Sequence, residues 1–244
     1  MVTFGTTPLR TTPPMISASL ERITDFLATV PLFRELDRAA VRSFAACTRE
    51  QRFARGAMVV TEGDLSDALF VVRSGEVKVV LIGDDGREVI LNVLGVGEHV
   101  GELSLIDGRP RSAHVVATQP SSLLVLRRVD FRRQVEQSPQ VAWGLMMELS
   151  RRLRQADGTI GSLVLLDVPG RVARVLLEHA TPGEPATLAK PLTHQTIGQM
   201  IGASRETVSR AMAEFQEKGM ITTQRRLVTI IDRAALEARS RPRG

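Results

Sequence analysis

Between Phe53 and Arg128 the apolar residues fall in short, largely β-branched runs, at 58–60, 69–72, 77–81, 89–91 and 123–126, divided by Gly- and Asp-containing turns. Asp84-Asp85-Gly86 is a hairpin signal between two of them, and the whole pattern predicts a compact antiparallel barrel or jelly roll. On both sides the period becomes helical. Upstream, Phe26, Leu27, Val30, Phe33 and Leu36 share one helical face, and a second helix runs through 40–46. Downstream, Ser138 and Pro139 mark a helix start, Ser as cap and Pro at the first helical position. Ala142, Met146, Leu149, Leu153, Ala156, Ile160 and Leu163 then alternate steps of four and three, as in a coiled-coil seam. On pattern alone this stripe either pairs with a second copy or lies on its own domain. Residues 1–19, rich in Thr, Pro and Ser, are expected to form a flexible arm.

After a hinge at 166–171, where Asp167 caps and Pro169 opens a helix, come a helix at 172–180 and a Pro/Gly loop at 181–191. Ile197 and Ile201 then give one helix an apolar face, Gly202 ends it, and Ser204 caps a second whose Val208, Met212 and Phe215 point inward. That order predicts a helix-turn-helix. The polar face of the second helix carries Arg205, Glu206, Ser209 and Arg210. Two arginines can chelate guanine O6/N7 or grip phosphates, and a carboxylate can accept from cytosine N4. The same composition also suits a solvated amphipathic helix. Residues 219–221 and 227–231, split by Arg225-Arg226, predict a small β wing whose arginines touch phosphates.

At 244 residues, 43% of them hydrophobic, the chain is long enough for two cores. No apolar run approaches the ~20 residues of a membrane span and the N-terminus lacks a signal-peptide core, so a cytoplasmic protein with no membrane contact is expected. Cys47 is the only cysteine, which excludes an internal disulfide and an iron–sulfur cluster held by several thiolates. It is expected to be a small buried helix residue. From Pro169 onward there are twelve Lys and Arg against seven Asp and Glu, so the whole formal charge of +5 lies in the last third. A basic segment beside a neutral body suits nucleic acid, and also suits an ordinary solvated surface.

Residues 101–113, GELSLIDGRPRSA, concentrate the candidate chemistry. Gly101 and Gly108 permit turn angles barred to other residues and a close approach of backbone to ligand. Arg111 offers a planar fork of donors to a phosphate and Ser112 a hydroxyl. Glu102, an acceptor when ionised, suits a sugar hydroxyl at the opposite end of a ligand. Taken singly, these pairs also fit a tight turn with a surface Arg–Glu contact.

The full string resembles the phosphate-binding cassette of cyclic-nucleotide-binding domains, specifically that of the CRP/FNR family of bacterial transcription regulators. The stretch from Ile197-Gly198-Gln199 through Arg205-Glu206-Thr207-Val208-Ser209-Arg210 resembles the recognition unit of the same family. Together these two resemblances extend over about residues 20–232. They imply an α+β chain: an arm at 1–19, a β-roll sensor domain at 20–137, a dimerisation helix at 138–166 and a winged helix-turn-helix at 167–244. Gly101, Glu102, Leu103, Ser104, Arg111 and Ser112 fall on the cassette's ligand positions, with Glu102 on the ribose 2′-hydroxyl and Arg111 and Ser112 on the cyclic phosphate. Arg205, Glu206 and Arg210 fall on base-reading positions, with His194, Ser204, Ser209, Arg225 and Arg226 as further DNA contacts. No catalysis is implied.

The implied partners are a two-fold-symmetric stretch of double-stranded DNA, a second copy of the chain and RNA polymerase. The implied effector is a cyclic nucleotide, with cyclic AMP, cyclic GMP and cyclic di-GMP all open. A regulator of this fold that uses haem or no ligand, with His99, His114, His179 and His194 scattered along the chain, and a nucleotide module controlling an enzyme or channel are the alternatives. Ala156 and Asp157 stand where cyclic AMP receptors carry adenine-gripping hydroxyl residues. A carboxylate at 157 favours the adjacent N1–H and N2 donors of guanine, unless Asp157 merely faces solvent. Gly158 and Gly161, each costing ~1 kcal/mol in a helix interior, suggest that this end of the helix orders on ligand binding.

Overall fold

The computed structural model describes residues 15–183, 185–225 and 227–242. Two helices, α1 (Met15–Thr29) and α2 (Arg38–Cys47), precede eight strands. α1 starts at Met15, so residues 15–19, expected in the arm, are helical; residues 1–14 lie outside the described residues. The strands are β1 (Arg49–Phe53), β2 (Met58–Val60), β3 (Ala68–Ser74), β4 (Val77–Ile82), β5 (Glu88–Leu94), β6 (His99–Val100), β7 (His114–Ala117) and β8 (Ser121–Arg127), with a short helix α3 (Glu102–Asp107) between β6 and β7. They form two antiparallel four-stranded sheets, β1-β8-β3-β6 and β2-β7-β4-β5.

Alternation explains why β3 reads as a continuous apolar run. Phe70 and Val72 join Val77, Leu94, Val115 and Ala117 in the core between the sheets. Leu69 and Val71 point the other way, into a second core with Leu27, Phe33, Phe44, Phe131 and Leu145 from the helices. A strand buried on both faces has no polar side to show.

α4 (Arg128–Gln137) leads into the long helix α5 (Gln140–Leu165), which passes through Gly158 and Gly161 without interruption. The expected start differs in detail. Ser138 ends α4, and Pro139 precedes α5 without any side-chain cap. Cys47 closes α2 half-buried, not fully buried, with the Gln134 amide 3.7 Å from its sulfur.

The second domain contains α6 (Val168–Glu178), β9 (Ala186–Thr187), α7 (His194–Ile201), α8 (Arg205–Glu217), β10 (Ile221–Gln224), β11 (Leu227–Ile230) and α9 (Arg233–Arg239). Asp167 caps α6 through the Gly170 amide at 2.9 Å, Thr193 caps α7, and Ser204 caps α8 through the Thr207 amide at 3.2 Å. Each uses a side-chain oxygen to satisfy an amide that the helix leaves free. Val172, Leu176, Ile197, Val208, Phe215 and Ile230 meet in one core beneath the three-stranded sheet β10-β11-β9. Among the described residues, no helix is long and apolar enough to cross a membrane.

Candidate functional site

Arg111 follows α3 and is held from three sides. Its Nε donates to Ser66 Oγ at 2.8 Å, Nη1 to the Gly101 carbonyl at 3.0 Å and Nη2 to the Ala68 carbonyl at 2.7 Å. Its guanidinium carbon lies 5.7 Å from the Phe70 ring centroid. Burial lowers its pKa, while the carboxylates of Glu102, Asp67 and Asp64 oppose that shift. A guanidinium stays charged regardless. It carries five N–H donors, so this geometry leaves two uncommitted.

Gly101 makes that seat possible. Its φ is +95°, and a Cβ there would stand 2.4 Å from Arg111 Nη1 and 2.7 Å from the Ala68 carbonyl oxygen. No other residue combines the left-handed backbone with that clearance.

Glu102, 4% exposed, is oriented by α5. Arg152 Nη1 donates to its Oε1 at 2.9 Å, while Oε2 is buried without a hydrogen-bond partner among the described residues. Arg152 also donates from Nη2 to the His99 carbonyl at 2.6 Å and from Nε to Glu148 at 2.8 Å. Hydrogen bonds from Arg151 and Arg152 push the Glu148 carboxyl down to about 2. His99, inside this network, is pushed down to about 4, mainly by burial and next by the positive charge of Arg152.

Arg111 and Glu102 both line one cavity of about 670 Å³. The cavity brings together Gly101, Glu102, Leu103, Ser104, Arg111, Ser112 and Ala156. Asp157 is not part of its lining and is exposed on α5 in the single chain. Its α5 wall is instead formed by Arg152, Gln155, Ala156, Thr159, Ile160 and Leu163. Arg152 and Ser66 escape sequence reading because an Arg in Arg151-Arg152 resembles a solvated face and Ser66 sits in a featureless loop. The second domain reaches this cavity too, through Met200 and Gly202, and an ion pair joins Lys190 to Glu76 of the roll.

In the second domain, α7 and α8 cross closely because position 198 has no side chain. A Cβ on Gly198 would stand 2.6 Å from the Ala203 carbonyl oxygen, and Gly202 takes φ +65° at the turn. α8 thereby buries Val208, Ala211, Met212 and Phe215 and leaves Arg205, Glu206, Ser209 and Arg210 exposed on one surface. Arg210 Nη2 reaches Thr207 Oγ1 at 3.3 Å, and backbone and Ser204 hydrogen bonds lower the Glu206 pKa. His194 is half-buried at the first position of α7. Arg225, with φ 49°, turns the wing tip, and Arg226 lies outside the described residues.

An antiparallel roll carrying a buried arginine–glutamate cavity, joined by a long helix to a winged helix-turn-helix, defines a ligand-sensing DNA-binding regulator. Residues 50–138 match the cyclic nucleotide-binding domain family, and residues 170–239 match the Crp-like helix-turn-helix domain family. The chain is 32% identical over 222 residues to the CRP-like cAMP-activated global transcriptional regulator of Mycobacterium tuberculosis, covering 89% of this chain and 99% of that one. It is 34% identical over 207 residues to the cyclic AMP receptor protein of Thermus thermophilus, covering 85% and 95%. Its fold is similar to that of the c-di-GMP responsive global regulator CLP of Xanthomonas campestris, with a TM-score of 0.70, 25% identity, and 80% and 99% of the two chains covered. The chain belongs to the CRP/FNR family of transcription regulators, which are DNA-binding proteins and not enzymes.

Proposed function

We propose that the cavity takes a cyclic nucleoside monophosphate and that its occupancy governs how a homodimer presents its two α8 helices to a two-fold-symmetric promoter site. The observation that carries this reading is the pairing, in one cavity, of a buried guanidinium with two free N–H donors and a buried carboxylate oxygen with no partner. The first suits a cyclic phosphate flanked by Ser112, the second a ribose 2′-hydroxyl. Arg152, the other cation in the lining, is committed to Glu102, Glu148 and the His99 carbonyl. One uncommitted cation favours a ligand with one phosphate over cyclic di-GMP, with two. The two cAMP-linked relatives support the same choice.

The dimer is supported by α5, where Trp143, Met146, Leu153, Ile160 and Leu163 are between 47% and 63% exposed. So large an apolar stripe on one helix calls for a partner, and a second copy supplies the same stripe. In such a dimer Arg205, Glu206, Ser209 and Arg210 read base edges in successive major grooves, ~34–36 Å apart, while Arg225 holds phosphate. RNA polymerase is the partner at the promoter, and the bacterial cytoplasm is the place of action.

Titration calorimetry with cyclic AMP, cyclic GMP and cyclic di-GMP tests this directly. A cyclic mononucleotide should bind, tighten DNA binding and lose its grip in Arg111→Ala, which should remain a folded dimer. Tight binding of cyclic di-GMP alone, or affinity unchanged in Arg111→Ala, would overturn the assignment.

A further inference from the structure

Resting on the cyclic mononucleotide reading, we propose that the base is selected by Gln155 and Thr159, and that Asp157 has no part in it. A nucleotide with its phosphate on Arg111 and its ribose on Glu102 starts beside Arg152, which holds Glu102 from α5. From there its base runs along α5, where each turn advances ~5.4 Å. Gln155 and Thr159 are the next polar residues on the cavity wall, one turn apart, with Ala156 and Ile160 beside them. Ala156 and Ile160 have no hydrogen-bonding group. Across the cavity, Val89 and Leu91, which share one face of β5, present an apolar surface suited to the flat of a ring.

The hydrogen bonding of these two residues matches a purine edge. Thr159 Oγ1 donates its hydrogen to the main-chain carbonyl of Gln155 at 3.1 Å, so toward a ligand the hydroxyl is an acceptor. The Gln155 amide offers a donor and an acceptor side by side. Together they complement an edge with one acceptor next to N–H donors, as at N1 and the 6-amino group of adenine. Both groups are neutral, so they impose none of the charge preference for guanine that a carboxylate would.

The test compares two probes, cyclic AMP and its analogue lacking the 6-amino group, on four proteins: wild type, Gln155→Met, Thr159→Val and Asp157→Ser. Both probes keep the ribose phosphate, and the three positions are exposed in the free chain, so the fold is preserved. Wild type should prefer cyclic AMP about tenfold, the equivalent of ~1.4 kcal/mol. Gln155→Met should erase the preference, Thr159→Val should reduce it, and Asp157→Ser should leave it intact. Retention of the preference in Gln155→Met, or its collapse in Asp157→Ser, would overturn the proposal. Failure of the wild type to bind either probe would instead overturn the nucleotide reading beneath it.

Discussion

The guanidinium of Arg174, on α6, occupies the space that a side chain at Gly158, on α5, would fill. A Cβ at 158 would stand 2.7 Å from Arg174 Nη2. In this notch Arg174 Nη1 donates to Ser162 Oγ at 2.5 Å, and Ser162 in turn donates to the Gly158 carbonyl at 2.8 Å. Nε pairs with Glu178 at 2.7 Å. The glycine that weakens the helix locally thus seats the first helix of the DNA-binding domain against the ligand-facing helix.

Gly158→Ala therefore sets two effects against each other. Alanine favours the helix by ~1 kcal/mol, but its methyl displaces Arg174. We expect hydrogen exchange to quicken across the hinge at 166–171 in Gly158→Ala and in Arg174→Ala, with the double variant no faster than either, since both remove one contact. Slower hinge exchange in Gly158→Ala would mean that helix propensity outweighs the notch.

The features most legible in the sequence were those carried by local chemistry. The Asp167 and Ser204 caps and the α8 apolar face depend on neighbours three or four residues away, and they stand in the structure as the pattern implied, as do the left-handed turns at Gly101 and Gly108. What escaped depends on distant partners. β1, Arg-Glu-Gln-Arg-Phe, has no apolar alternation because it is an edge strand paired only with β8, and charged residues on an edge deter further pairing. α4 carries charge at five of its ten positions and buries only Asp130, Phe131 and Gln134. Arg152 is read as a surface residue until the fold brings Glu102 to it across fifty positions. Gly158 reads as a soft spot because Arg174 lies sixteen residues away.

His99 predicts a pH dependence of stability. Its pKa falls from 6.5 to about 4 in the fold, chiefly through burial and then through Arg152 and Arg151, with Glu148 opposing. The unfolded chain therefore binds a proton that the folded chain refuses between these values. Stability should be fully present above pH 6.5 and fall as the pH drops toward 4, by about 3 kcal/mol in all. Glu148, held near 2, stays ionised throughout that window. Urea unfolding at several pH values should show this slope in the wild type and a flatter one in His99→Phe, which also removes a buried, unpartnered Nε2. An equal slope in both proteins would assign the dependence to other groups.

Gly198 should be intolerant of even one methyl group. Its Cβ would meet the Ala203 carbonyl oxygen at 2.6 Å, and backbone cannot swing aside as a long side chain can. Gly198→Ala is expected to prise α7 from α8, with a loss of about 1–3 kcal/mol typical of overpacking. The loss should appear as a lower melting temperature for the DNA-binding domain and weaker DNA binding, with nucleotide affinity little changed. Normal DNA affinity in this variant would show that the turn can relax.

Arg205 and Arg225 should fail in different ways when removed. Arg205 opens α8 on its exposed face, where a guanidinium can chelate a guanine edge, so Arg205→Ala should cost ~1–3 kcal/mol on the cognate site and much less on scrambled DNA. Arg225 sits at the wing tip with φ 49°, a conformation that glycine adopts without strain. Arg225→Gly thus deletes the charge while easing the backbone, and the wing should remain folded. Affinity should then drop on all sequences alike, and the slope of log affinity against log salt should shrink by about one. Fluorescence anisotropy on cognate and scrambled duplexes at three salt concentrations separates the two roles. Equal losses on both duplexes for Arg205→Ala would make it a phosphate contact, and would move base reading to Glu206, Ser209 and Arg210 on the same face.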